Sequence, residues 1–176
     1  FRSANWQAQR RSAGWRIDRE PEWEPEGGSV AFGGDEDGIR LTGRIDRIDR
    51  HEETNQIAIL DYKTAEKALS PREVHLRRGE WRSLQLPLYR HLARAVVGEE
   101  TPVLGYICLS RSERGVELKT ADWAGEDLRQ ADAVARGVVE GVRAGRFAEV
   151  GELGYEEGAL ATIWRLARLA SVEGVA

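Results

Sequence analysis

The chain has 176 residues, 41% of them hydrophobic, and a formal net charge of −4. A chain of this length and composition can bury one ordinary core, so we expect a single globular domain. It has no apolar run long enough for a membrane helix and no signal-peptide pattern, and its single cysteine, Cys108, excludes an internal disulfide framework. We therefore expect a cytoplasmic protein without membrane contacts. The negative charge argues mildly against unaided binding of nucleic acid, because phosphate neutralisation supplies most non-specific affinity.

The first elements in chain order are a helix or arm and two strands. Residues 1–20 are rich in Arg, Ser and Ala and are predicted to form the helix or arm. Residues 29–32 and 39–50 are predicted strands on either side of the segment 33–38, whose sequence GGDEDG has strong turn chemistry.

A second hairpin is predicted within residues 41–64, LTGRIDRIDRHEETNQIAILDYKT. Residues 57–60 are consecutively apolar, which is typical of a central strand covered on both faces. If residue 48 pairs with residue 59, Asp46 lies opposite Asp61 and Arg44 lies opposite Lys63. Lys63 shares the face of Asp61, because side chains two apart on a strand point the same way. The hairpin thus predicts two facing carboxylates with a lysine beside them.

Facing carboxylates repel each other, so this arrangement predicts a cation between them. Lys63 could serve in part, whereas oxygen ligands completed by water favour Mg²⁺ or Mn²⁺ over a softer metal. Such a site can polarise a phosphoryl oxygen and activate a water, so phosphodiester hydrolysis is the natural reaction class. Arg47 and Asp49 fall on the opposite face of the strand. They are interpreted as structural, paired to each other or to a neighbouring helix.

The later part of the chain is predicted to form three helices and two strands. A helix is predicted from a candidate N-cap at Ser83 to about Val97, with Pro87 in its first turn and Gly98 as its stop. The remaining predictions are strands over 101–110 and 116–119 and helices over 126–144 and 159–169. Strands gathered centrally between helices predict an α/β fold with a mixed sheet flanked by helices. Cys108 lies in an apolar strand and is interpreted as a small buried hydrophobic residue.

Charge is unevenly distributed along the chain. Residues 66–95 carry seven basic and three acidic side chains, whereas residues 96–160 carry seven basic and thirteen acidic ones. The basic part adjoins the predicted site, although a solvated helix face is the preferred interpretation for each arginine taken singly. His51, His75 and His91 have no spacing typical of a ligand set, so each is interpreted as a surface residue or one with satisfied hydrogen bonds.

Three motifs follow one another in the sequence. Residues 43–49 read GRIDRID, residues 61–64 read DYKT, and residues 85–89 read QLPLY. In this order they resemble the second, third and Q-x-x-x-Y motifs of the PD-(D/E)XK nucleases, and among these the RecB- and AddB-type nuclease domains of bacterial recombination helicase-nucleases. The resemblance spans roughly residues 20–147. It implies a restriction-endonuclease-like core, a central mixed β-sheet flanked by α-helices.

The resemblance also implies roles for individual residues. The implied catalytic and metal-binding set is Asp46, Asp61, the water-activating Lys63 and the backbone carbonyl of Tyr62, with Mg²⁺ or Mn²⁺ as cofactor. The implied DNA-binding or site-supporting residues are Gln85, Tyr89, Arg82 and Arg44. Taken alone, each motif has a simpler explanation: a solvated edge strand for GRID, or a packed i,i+4 pair for Gln85 and Tyr89. Their occurrence together favours the nuclease.

The sequence departs from the family pattern in two respects. Some AddB-type domains carry four cysteines for an iron-sulfur cluster, and this chain has one, so no cluster is expected. RecB-type domains place a histidine on a helix before the first strand, and residues 1–38 contain none. Because the chain opens at Phe1 and has no methionine, the simplest interpretation is an excised or truncated fragment, with residues 1–20 as an N-terminal arm or helix, 21–150 as the nuclease core and 151–176 as a C-terminal helix.

The sequence therefore predicts a metal-dependent deoxyribonuclease domain of a RecB- or AddB-type enzyme of DNA double-strand-break repair. No G-x-x-x-x-G-K-[ST] motif occurs, so we expect DNA, as single-stranded ends, to be delivered by a helicase motor domain or partner subunit. The isolated chain is expected to be weakly active or inactive. The competing hypothesis is a non-catalytic DNA-binding or scaffolding module with the same fold, and the presence of Asp46, Asp61 and Lys63 argues against it.

Overall fold

The computed structural model describes residues 2–19, 30–32, 39–64, 69–98, 100–109 and 116–145. The chain divides into two units, residues 1–139 and residues 140–176. The first unit contains the sheet and the helices packed on it, and the described part of the second, residues 140–145, contains the end of the last helix. Within the described ranges, no helix has the length and apolar character needed to cross a membrane.

The described strands and helices are arranged around one central sheet. The elements are α1 (Arg2–Ser12), β1 (Trp15–Arg19), β2 (Val30–Phe32), β3 (Ile39–Leu41), β4 (Arg47–His51), β5 (Ile57–Lys63), α2 (Pro71–His75), β6 (Leu76–Arg77), β7 (Glu80–Trp81), α3 (Gln85–Leu92), α4 (Arg94–Val97), β8 (Val103–Leu109), β9 (Val116–Thr120) and α5 (Gly125–Arg143). The central sheet has five strands in the order β1-β4-β5-β8-β9, with β5 and β8 parallel and the other neighbours antiparallel. Two small antiparallel pairs, β2-β3 and β6-β7, lie outside it.

Both faces of the central sheet are covered. On one face the buried residues Ile48, Ile59, Leu86, Tyr89, Tyr106 and Leu128 form the main core, which joins the sheet to α3 and α5. On the other face Ala58, Leu60 and Ile107 pack with Trp6 of α1 and with Trp15. Because successive β5 side chains enter opposite cores, the run of apolar residues in this strand is explained. The predicted central position of β5 and the predicted mixed α/β sheet flanked by helices are confirmed.

The predicted strand over residues 39–50 is wrong as a single element. β3 pairs with β2, whereas β4 joins the central sheet, and residues 42–44 connect them without strand structure. Gly43 lies in this connection, and a Cβ atom there would come within 3.0 Å of the Leu92 Cδ1 atom. Glycine therefore lets the chain pass close to α3 as it changes from one sheet to the other.

The helix predicted over residues 83–97 differs at its start and in its middle. The helix begins at Gln85, its N-cap residue is Leu84, and no side chain caps it, so the predicted Ser83 N-cap is wrong. The Ser83 carbonyl oxygen instead accepts a hydrogen bond from His75 Nδ1. The helix is interrupted at Ala93, which separates α3 from α4. Gly98 ends α4 with a φ of 72°, which confirms the predicted stop.

The remaining secondary-structure predictions succeed for the long elements and fail for the short ones. The long elements β8, β9 and α5 lie within about two residues of their predicted bounds. The sequence predicts a helix or an arm over residues 1–20 and therefore does not predict strand β1, nor does it predict the short elements α2, β6 and β7. The predicted turn over 33–38 and the predicted helix over 159–169 lie outside the described residues.

Candidate active site

The β4–β5 hairpin has the register assumed from the sequence. Ile48 pairs with Ile59, and the ladder runs from the Arg50–Ile57 pair to the Arg47–Leu60 pair. Asp46 lies one residue beyond this last pair, and its Oδ2 atom accepts a hydrogen bond from the Tyr62 backbone N–H at 2.8 Å. The second motif is therefore tied directly to the third, with the Asp46 carboxylate beside β5.

Gln85 connects the helical motif to the charged groups of β5. Its Nε2 atom donates to Asp61 Oδ1 at 3.1 Å and to the Tyr89 hydroxyl at 2.7 Å. Its Oε1 atom accepts from Lys63 Nζ at 3.3 Å. One amide side chain therefore fixes the relative positions of the carboxylate, the ammonium and the phenol.

Asp61 is a buried carboxylate whose negative charge is only partly balanced by its neighbours. It is 3% exposed, and burial raises its pKa, with a further contribution from the charge of Asp46 and opposition from Lys63. Lys63 Nζ lies 2.7 Å from Asp61 Oδ2, yet this oxygen accepts no well-aligned hydrogen bond from a described residue. The charge of Asp46 adds to the electrostatic cost of ionising Asp61, so a cation beside the two carboxylates would stabilise the site.

Two aromatic residues that sequence reasoning missed as a unit lie behind Lys63. The Lys63 Nζ atom is 5.2 Å from the centre of the Tyr106 ring, within cation–π range. The Tyr106 hydroxyl hydrogen-bonds His75 Nε2, and His75 Nδ1 lies 2.9 Å from the Ser83 carbonyl oxygen. Burial lowers the pKa of His75 to about 4, so its ring is neutral, donates from Nδ1 and accepts from Tyr106. The expectation that His75 has satisfied hydrogen bonds is confirmed.

The charged pair on the opposite face of β4 is structural, as predicted. Asp49 is fully buried and accepts hydrogen bonds from Arg47 and from Arg10 of α1. Arg47 Nη1 also donates to the Tyr62 hydroxyl at 3.4 Å. This network joins α1 to the strands that carry the site.

The two remaining candidate residues lie at exposed positions. Arg82 follows β7, and its guanidinium pairs with Glu80 at 2.7 Å. Arg44 lies in the connection between β3 and β4, beyond the end of the hairpin ladder, so it has no ladder pairing with Lys63. Both residues stay predictions as DNA-binding or site-supporting groups.

The residues at this site can accommodate a hard divalent ion. Asp46 and Asp61 provide carboxylate oxygens, and the buried Asp61 Oδ2 has unused acceptor capacity. Among the described residues, no group of three or more His, Cys, Asp or Glu side chains is placed to hold a metal. Mg²⁺ commonly binds through one or two carboxylates, with water and phosphate oxygens completing its coordination, so two carboxylates suffice.

Comparison with known proteins gives a family. A model of the PD-(D/E)XK nuclease superfamily matches residues 2–152, and the chain belongs to this superfamily.

No curated protein gives a significant match to the sequence. The chain is similar to the solved structure of SSO0001, with 14% identity, a TM-score of 0.41 and coverage of 79% of this chain and 56% of that one. It is also similar to a protein named as a candidate exonuclease from Eubacterium rectale, with 12% identity, a TM-score of 0.37 and coverage of 76% and 55%. The chain thus spans a little over half the length of these two structures.

Proposed function

We propose that this chain is a metal-dependent deoxyribonuclease domain of a RecB- or AddB-type DNA-repair enzyme that hydrolyses phosphodiester bonds. One observation carries the proposal: Gln85 hydrogen-bonds at once to Asp61, Lys63 and Tyr89. Residues from two separate motifs thereby form one network, and the Tyr62 N–H attaches Asp46 to it. A scaffold without chemistry has no need for a buried, poorly compensated carboxylate beside a lysine.

Each residue of the network has a distinct part in the proposed reaction. Asp46 and Asp61, with the Tyr62 carbonyl, would hold Mg²⁺ or Mn²⁺, which supplies charge stabilisation at the phosphoryl group and lowers the pKa of water. Lys63 is held between Asp61 and Gln85, where its ammonium orients the attacking water and offsets developing negative charge.

Tyr89 supports the site as a neutral group. Burial raises the pKa of its hydroxyl to about 12, so it stays protonated and hydrogen-bonds Gln85 without adding negative charge. The phenol therefore adds no charge to the Asp46 and Asp61 carboxylates, whose attraction for a metal ion it leaves unchanged.

The proposed substrate is single-stranded DNA delivered by a helicase motor or partner subunit. The chain's charge of −4 gives it little attraction of its own for a polyanion, which supports a delivery role for a partner. We therefore expect weak cleavage from the chain alone in Mg²⁺ and somewhat better cleavage in Mn²⁺.

A cleavage assay on labelled single strands tests the proposal. Asp46→Asn, Asp61→Asn and Lys63→Ala should each lower the rate by about 100-fold or more, because each removes a group that holds charge at the reacting phosphate. Asp18→Asn is the matched control, since Asp18 is a carboxylate on edge strand β1 that pairs with Arg50 outside the network. Cleavage that survives in all three site variants would contradict the proposal.

Metal binding distinguishes the nuclease from the scaffolding module. Titration calorimetry with Mn²⁺ should show a site in the wild-type chain that disappears in Asp61→Ala. The small number of carboxylates at the site is the observation that keeps the scaffold under consideration. Absence of Mn²⁺ binding, together with no cleavage when a motor is supplied, would favour that alternative.

A further inference from the structure

The β6–β7 hairpin has an unusual residue at its tip. Arg77 pairs with Glu80, which leaves a two-residue loop of Arg78 and Gly79 with φ values of 54° and 79°. Positive φ at both loop positions is the pattern of a type I′ turn, whose first position favours Asn, Asp or Gly. The other described non-glycine residue with positive φ is Asn55, for which this conformation is ordinary. At position 78 an arginine therefore makes the fold less stable than an asparagine would.

The Arg78 side chain is available to a partner. It is exposed and forms no hydrogen bond or ion pair with another described residue. Nearby exposed arginines are already engaged: Arg72 pairs with Asp122 and Arg82 pairs with Glu80. The hairpin thus presents one uncompensated guanidinium at its tip.

The base of the hairpin is attached to the candidate active site. The His75 carbonyl oxygen accepts from the Arg82 N–H at 2.7 Å, and His75 Nδ1 donates to the Ser83 carbonyl, so one residue holds both sides of the hairpin. The His75 Nε2 atom bonds to Tyr106, whose ring faces Lys63. Since each strand of the hairpin has two residues, its tip lies roughly 7–10 Å from this attachment.

We propose that the β6–β7 hairpin binds the DNA strand and that Arg78 contacts a phosphate of that strand other than the one that is cleaved. This inference rests on the proposed nuclease function. Guanidinium groups bind phosphate through paired, charge-assisted hydrogen bonds, and a short hairpin fixed at its base holds that contact at a set distance from Lys63. The conformational cost at Arg78 is then explained by function, since strain of this kind persists where a site requires it.

The test separates DNA binding from folding. Arg78→Asn removes the charge and introduces a residue that tolerates positive φ, so its melting temperature should be unchanged or about 1–3 °C higher. Arg78→Lys keeps the charge. Arg136→Gln, at an exposed position on α5, is the control for the loss of one positive charge. Binding of a fluorescent single-stranded oligothymidylate is measured by anisotropy over a series of low salt concentrations in an Asp61→Asn background, where the DNA stays intact.

We expect Arg78→Asn to weaken binding about fivefold and to make the slope of log affinity against log salt shallower by about 0.7. Arg78→Lys should keep most of the affinity, and Arg136→Gln should keep the slope. Unchanged binding in Arg78→Asn, an equal loss in Arg136→Gln, or no binding of single strands by any of these proteins would overturn the inference. Cleavage by Asp61→Asn at the wild-type rate would instead count against the proposed nuclease function, and the anisotropy comparison would still decide the role of Arg78.

Discussion

Gln85 is the side chain through which α3 contacts both charged groups of β5. Gln85→Ala removes its bonds to Asp61, Lys63 and Tyr89 but no metal ligand. We therefore expect partial activity, about 10- to 100-fold below wild type, which is the usual cost of losing a group that orients metal ligands. The measurement is the rate of cleavage of labelled single strands at saturating substrate.

Tyr89→Phe is the matched comparison for this prediction. It keeps the buried ring in the core and removes the hydroxyl that accepts from Gln85. Its rate should fall less than that of Gln85→Ala, because the bonds of Gln85 to Asp61 and Lys63 remain. A wild-type rate in Gln85→Ala would remove this residue from the site.

His75 makes the stability of the fold depend on pH. Burial lowers its pKa from 6.5 to about 4, so between these values the unfolded chain binds a proton that the folded chain does not. Stability should therefore fall as pH decreases through this window, by about 3 kcal/mol in total from His75. His91, whose pKa is also lowered by burial, contributes in the same direction.

The His75→Gln variant tests this prediction. It should be less stable than wild type at neutral pH, and the difference in the free energy of unfolding should shrink toward pH 4 in denaturant titrations. A constant difference across this range would show that folding does not lower the pKa of His75.

The charged residues of the site could be predicted from the sequence, whereas its aromatic support could not. Asp61 and Lys63 stand two apart on a strand, and the regular hairpin places Asp46 beside them. Tyr106 lies on β8, which is parallel to β5, and His75 ends α2. The two residues come together because α2 packs against β8. No local spacing records a contact between residues so far apart in the chain.

At the scale of elements, α1 is attached to the sheet by buried charge. Asp49 is fully buried, and Arg10 of α1 and Arg47 of β4 both donate to it. Asp49→Ala leaves two largely buried guanidinium groups without their carboxylate, so we expect a loss of about 3–5 kcal/mol in the free energy of unfolding. Urea denaturation measures it. The exposed pair of Arg129 and Glu126 provides the control, since Glu126→Gln should have little effect. An equally small effect of Asp49→Ala would mean that the network does not anchor α1.

Element length explains most of the differences between the predicted and observed secondary structure. β5 and β8 contain long, continuous apolar runs and α5 is long enough to show apolar periodicity, so the sequence predicts all three. β6 and β7 have two residues each, too few for any period, and they form because His75 holds the two ends of the hairpin. β1 was missed because its sequence WRIDR places charged residues on an edge strand, where one side remains open to solvent.

At the scale of the whole molecule, two buried aspartates contribute in opposite directions to stability. Asp49 is held by two arginines, whereas Asp61 pairs with one lysine, is repelled by the charge of Asp46 and has an oxygen without an aligned hydrogen bond. Since burial raises the pKa of Asp61, its ionised form destabilises the metal-free fold at neutral pH. The fold therefore tolerates a local electrostatic cost at the place where the proposed chemistry needs a cation.

Because of this electrostatic cost, we expect bound metal and the Asp61→Asn substitution to relieve the same repulsion between Asp46 and Asp61. Asp61→Asn should melt at the same temperature as the metal-free wild-type chain or slightly higher, because it removes the repulsion from Asp46 while keeping an acceptor for Gln85. Added Mn²⁺ should stabilise the wild-type chain, by about 2.7 kcal/mol at a concentration one hundred times the dissociation constant, and should leave Asp61→Asn unchanged. The order of the two melting temperatures should thus reverse on addition of metal. Scanning calorimetry with and without Mn²⁺ measures this, with Asp18→Asn expected to respond like wild type. A large drop in the metal-free stability of Asp61→Asn would instead assign Asp61 a structural role like that of Asp49.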